Sequence, residues 1–132
     1  MASKGRSFRT TYIDEFEVLI GKGAAENDML TFREADPYDF WLHVSHVPGS
    51  HVVVRNPDRL SDLPRHVLEQ VAQLAVWYSK ARGSRGKVEV HVCRVSDVSK
   101  PYGFPAGKVT LRRWQGVRVY PKEPAAETGD DG

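Results

Sequence analysis

Short alternating stretches of apolar and polar residues run along this chain, interrupted once by a longer stretch with helical spacing. Phe16 to Ile20 reads as a short strand stopped by Gly21-Lys22-Gly23. Asn27 or Asp28 can cap a short helix running towards Ala35, with a strand as the other reading of that stretch. Phe40 to His46 alternates, so Phe40, Leu42 and Val44 share one face while Asp39, Trp41 and His43 share the other. His51 to Arg55 is rich in β-branched residues and reads as the next strand, with Pro48-Gly49 as the turn between. The clearest element is a helix from about Leu63 to Arg82, because Val67, Leu68, Val71, Leu74, Ala75 and Tyr78 form one stripe. Ser61 or Asp62 caps it, Pro64 sits in its first turn where a missing N–H costs little, and Gly83 ends it. Val88 to Val95 is a strand, and after a Pro/Gly-rich loop Val109 to Trp114 and Val117 to Tyr120 form a hairpin around Gln115-Gly116. Strands on both sides of one long helix predict an α+β domain, a mostly antiparallel sheet with that helix packed on it.

The 132 residues suffice for one domain with one core. Residues 1–11 read as a flexible arm, residues 12–122 as the domain, and the acidic, Ala- and Gly-rich residues 123–132 as a disordered tail. The single cysteine, Cys93, cannot close an internal disulfide or a zinc cage. No apolar run approaches the roughly 20 residues of a membrane helix, and the basic N-terminus lacks the apolar core of a secretory signal. The expected location is the cytoplasm. The net charge of +2 conceals an asymmetry: Tyr12 to Leu63 carries ten acids against four Lys or Arg, and Lys80 to Lys122 carries eleven Lys or Arg against two acids. A basic segment in a near-neutral chain suggests an anionic partner on one face, or simply a solvated basic surface.

Three groups of residues can serve such a partner. Asp39, Trp41 and His43 line up on one strand face, where Trp offers a plane to a base, His donates to a phosphate or 2′-OH, and Asp accepts from a base edge or fixes the His tautomer. A contact from a charged His43 would strengthen below about pH 6.5. The competing reading makes Trp41 a core residue and satisfies His43 internally. Ser50 and His51 follow the Pro48-Gly49 turn, which can bring backbone N–H groups close to a phosphate or be a plain turn. Ser79, Lys80 and Arg82 at the helix end, together with Arg85, Lys87, Lys100, Lys108, Arg112 and Arg113, can form a strip that neutralises several phosphates. Catalysis is not expected. The chain has no HExxH, CxxC, GxSxG or Walker spacing, and His43 and His46, three apart in a strand, point to opposite faces. No cofactor or metal is expected.

Taken together, several runs resemble one family. They are Gly21-Lys22 leading to Asn27-Asp28-Met29-Leu30-Thr31, then Asp39-Phe40-Trp41-Leu42-His43, then Pro48-Gly49-Ser50-His51-Val52-Val53-Val54-Arg55. Ala72 to Ala75, Ser79-Lys80-Ala81-Arg82 and Lys100-Pro101-Tyr102-Gly103-Phe104-Pro105-Ala106-Gly107-Lys108-Val109 complete the series. In order and spacing the chain resembles NFACT-R, the RNA-binding domain of the ribosome-quality-control proteins RqcH and NEMF and of bacterial fibronectin-binding protein A-like proteins. It departs from the usual pattern at Glu26, where the family has Gln, and at Gln115-Gly116, where it has Lys-Thr. Full-length members also carry an NFACT-N domain and a coiled coil, which this chain lacks. The resemblance therefore implies a stand-alone RNA-binding module for tRNA or ribosomal RNA, possible association with the ribosome, and no tailing activity of its own. A protein-docking module on the ribosome or a tailing factor is the alternative. An RNA-processing enzyme using His43 and His51 as acid and base is a third.

Overall fold

The computed structural model describes residues 8–125. Phe8–Ile13 (β1) and Phe16–Gly21 (β2) form an antiparallel hairpin, with Asp14 in the left-handed region (φ 54°) at its turn. Residues 8–11, expected in a flexible arm, are thus strand; Phe8 itself is buried. Residues 1–7 and 126–132 of the expected arm and tail lie outside the described residues.

Ala24–Met29 forms α1, which runs directly into a π-helical turn over Leu30–Glu34 that closes with Ala35 N–H on Leu30 O at 2.9 Å. The helix begins three residues before Asn27, with Gly23 at the N-cap and therefore no side-chain cap, and Asn27 turns its amide across the fold. Its Oδ1 accepts from His51 N–H at 3.1 Å. Phe40–Val44 (β3) and Val52–Val54 (β4) pair with each other, and β4 also pairs with β2.

The long helix, α2, spans Arg65–Trp77. It is shorter than the apolar stripe suggests. Pro64 occupies the N-cap position and neither Ser61 nor Asp62 caps it, while its C-terminus is set by tertiary pairing rather than by Gly83. Ser50 N–H binds Tyr78 O and Lys80 N–H binds Pro48 O, both at 2.9 Å, which pulls the chain out of helix one turn early.

Val88–Arg94 (β5) leads through a 3₁₀ turn at Val95–Asp97 to Val98–Ser99 (β6), which pairs with Thr110–Leu111 (β7) in a small separate sheet. Gln115–Val119 (β8) pairs with β5. The expected C-terminal hairpin therefore does not form, and Gln115-Gly116 is strand rather than turn. Arg112 explains the departure: its backbone N–H binds Asp97 O at 2.8 Å, and its guanidinium reaches Asp97 Oδ1 at 3.0 Å. The chain is fixed to the β6 side before a turn can close.

The main sheet is antiparallel throughout, in the order β1-β2-β4-β3-β5-β8. The expected α+β class holds, with the long helix on one face. Val67, Leu68, Val71 and Leu74 of α2 pack there on Val18, Ile20, Phe40, Leu42, Val52, Val90 and Val117. The other face is covered as well. Leu19, Trp41 and Val53 pack under Leu30 of the π-helical turn and Val95 and Val98 around β6. Burial on both faces is why β4 is an unbroken Val-Val-Val rather than an alternating strand. This second layer stops short of the sheet's end, and the uncovered remainder becomes a groove.

Candidate nucleic-acid interface

The groove floor is a directional chain of hydrogen bonds. His51 Nε2 lies 3.1 Å from Gly107 O, and a carbonyl can only accept, so Nε2 carries the proton. Nδ1 is then an acceptor, and the Thr31 hydroxyl donates to it at 2.8 Å. Thr31 Oγ1 in turn accepts from Trp41 Nε1–H at 3.1 Å. The π-helical turn supplies Thr31, the Pro-Gly-Ser-His run supplies His51, and the 100–109 loop supplies Gly107. Trp41 and His51 are each only 1% exposed. This corrects two expectations. Trp41 is a core residue and presents no open plane to a base, and both ring nitrogens of His51 are taken by the protein.

The loop that forms one wall is held by charge. Lys100 Nζ donates to Pro105 O at 2.6 Å and Lys108 O at 2.7 Å, and sits 3.2 Å from Asp28 Oδ2. Asp28 Oδ1 accepts from Gly107 N–H at 3.1 Å. Gly107 has φ +84°, and a Cβ there would press on Ala24 at 3.2 Å, so only glycine lets the loop lie on α1. The opposite wall is the Pro48–Ser50 turn joined to the end of α2. Gly49 bridges to Ser79, and a Cβ on Gly49 would stand 2.7 Å from Ser79 Cβ. The turn is not a phosphate nest, since Ser50 N–H is bonded to Tyr78 O and His51 N–H to Asn27. Ser50 Oγ donates to Gly21 O at 2.6 Å.

Between these walls lies a groove of about 1150 Å³. Of the sequence-derived candidates, Trp41, His43, Ser50, His51, Ser79, Lys80, Arg82 and Lys108 line it. Asp39, Lys100, Arg112 and Arg113 do not. Asp39, 2% exposed, accepts from Asn56 N–H and Asp36 N–H at 2.8 and 2.9 Å and anchors the far end of β3. Lys100 braces the loop, and Arg112 is held by Asp97. The groove also contains residues that sequence reasoning missed: Arg9, Lys22, His46, His91 and Trp114. His46 arrives because β3 ends at Val44 and its backbone turns left-handed (φ 66°), which brings it to the same side as His43. The register of β3 on β5 places His91 directly across from His43.

Five Lys or Arg side chains line the groove (Arg9, Lys22, Lys80, Arg82 and Lys108), and among the described residues no carboxylate does. The imidazoles of His43, His51 and His91 add little charge to it. Burial pushes His43 down to about 4, offset in part by a backbone hydrogen bond at Gly49. Burial also pushes His51 down to about 4, with His43 adding to the effect. His91 is lowered for the same reason. At neutral pH His43 is therefore an uncharged ring, and the expected gain in binding just below pH 6.5 does not apply to it.

A braced α+β sheet beside a groove that is lined by cations and, among the described residues, by no acid has the electrostatics that suit a nucleic-acid backbone. The chain belongs to the NFACT protein RNA binding domain family, whose pattern it matches over residues 5–113. It is 39% identical over 106 residues to the Rqc2 homolog RqcH of Streptococcus suis, covering 80% of this chain and 18% of that protein. The Rqc2 homolog RqcH of Bacillus subtilis is 36% identical over 104 residues, covering 79% of this chain and 17% of that one. Ribosome quality control complex subunit 2 of Schizosaccharomyces pombe is 28% identical over 99 residues, 72% of this chain and 10% of its own length. Among solved structures, the C-terminal part of the fibronectin/fibrinogen-binding protein from Streptococcus suis superposes with a TM-score of 0.80 at 35% identity, covering 89% of this chain and 46% of that one. The chain thus spans less than a fifth of the length of these curated relatives.

Proposed function

We propose that this groove holds the backbone of structured RNA, tRNA or ribosomal RNA, and that the protein acts in translation or ribosome quality control in the cytoplasm. The observation that carries the reading is the groove's five cations without an acid. The relatives, named for ribosome quality control, point to the same setting. The role is binding rather than catalysis. An acid–base pair of His43 and His51 would need free, titratable nitrogens, whereas His51 spends both on Thr31 and Gly107.

The test is binding to purified tRNA across a salt series. At about 0.7–0.9 per phosphate contact, contacts from the groove's Lys and Arg give a log–log slope of several units. Lys80→Glu with Lys108→Glu, on opposite walls, should weaken binding to all RNAs alike and flatten the slope by about two. A slope near zero, or affinity indifferent to both reversals, would overturn the reading and assign the groove to a protein partner.

A further inference from the structure

One aromatic residue in the groove, Trp114, lies outside both hydrophobic cores. It is 49% exposed. Exposure by itself does not set it apart, since seven other large apolar side chains among the described residues are also exposed; its place and its backing do. Its position is well defined. The indole stacks on the His91 ring with centroids 4.0 Å apart and planes inclined by 30°. His91 lies within β5, opposite His43 on one side and Gly116 on the other, so the ring beneath the indole is set by sheet register. His46 stands edge-on to His91 at 6.1 Å. Trp114 is thus a flat ring with a rigid backing, at the rim of a cationic groove. A base stacked on it would not have to order the platform first. Every nucleobase has a π-face that can use such a surface, but a base within a duplex has both faces occupied.

Resting on the RNA-binding reading above, we propose that the Trp114–His91 pair is a stacking platform for one unpaired nucleobase. The groove then takes RNA with a loop, bulge or single-stranded end at this point. Lys80 and Lys108 hold phosphates, and His91 backs the indole from the face opposite the base. Trp41 has no part in this.

The full chain would be titrated with a short oligouridylate and with a blunt RNA duplex of equal length, reading both affinity and tryptophan fluorescence. The single strand should quench fluorescence and the duplex should not. Trp114→Ala should weaken single-strand binding by about 5- to 150-fold, the range for one stacked base, remove most of the quench, and leave duplex affinity within about twofold. Trp114→Phe should keep most of the affinity. If the alanine variant melts early, the phenylalanine variant decides, and a loss as deep as alanine's overturns the platform. Unchanged single-strand affinity in Trp114→Ala, or an equal loss for both RNAs, also overturns it while salt-dependent binding leaves the RNA reading standing. If neither RNA binds, both fall.

Discussion

At Trp41, a strand's alternation identifies two faces without saying what covers the second. The sequence supports two readings of that position, a stacking platform and a core residue, because Phe40, Leu42 and Val44 already furnish one apolar side. What decides between them lies elsewhere in the chain, in Thr31 ten residues earlier and His51 ten residues later. Trp41→Ala should cost about 3–5 kcal/mol of stability, read by urea denaturation, with RNA binding lost only as the fold is lost. A cost under about 1 kcal/mol would contradict the burial described here. His51 makes a second residue-scale prediction. Its pKa is lowered from 6.5 to about 4 in the fold, so between those values the unfolded chain takes up a proton that the folded chain refuses. The associated stability is complete above about pH 6.5 and is lost as pH falls towards 4, at about 3 kcal/mol for the full shift. His43 contributes with the same sign. Urea midpoints should fall steeply from pH 7 to pH 4.5, and a flat profile would refute the buried neutral imidazoles.

Elements were legible in kind more than in extent. The α2 stripe was readable because an amphipathic helix repeats its signal over several turns. Leu68, at the centre of that stripe, is buried against the sheet, and Leu68→Ala should lower stability by about 2–5 kcal/mol in thermal or urea melts. An unaffected midpoint would mean that α2 does not carry the core. The ends of α2 were not legible, since its C-terminus is fixed by backbone pairing to Pro48 and Ser50, about thirty residues away. The same holds for the last strands. A turn-like Gln-Gly dipeptide suggested a hairpin, but the Asp97–Arg112 pair sends β7 and β8 to different sheets. The π-helical turn carries no sequence signature, yet it sets Thr31 under Trp41 and His51.

For the whole molecule, the charge asymmetry pointed to an anionic partner but misplaced part of the surface. Lys80, Arg82 and Lys108 of the basic segment reach the groove, whereas Lys100 and Arg112 are spent on Asp28 and Asp97. Arg9 and Lys22 come from the other half of the chain, brought in by the β1–β2 hairpin. A linear count of charges cannot separate cations that brace a loop from cations that face a ligand.

The backbone splice between the Pro48–Ser50 turn and the end of α2 has a consequence for speed and heat. Residues 78–80 are tied to the turn through Tyr78 O, Lys80 N–H and the Gly49–Ser79 bridge, so the segment bearing Lys80 and Arg82 has little backbone freedom to surrender when a polyanion arrives. Association can then run near the electrostatically steered limit, without a folding step that slows it. The heat capacity of binding should then receive little from this segment, because residues 78–80 need not condense and bury new apolar surface on a ligand.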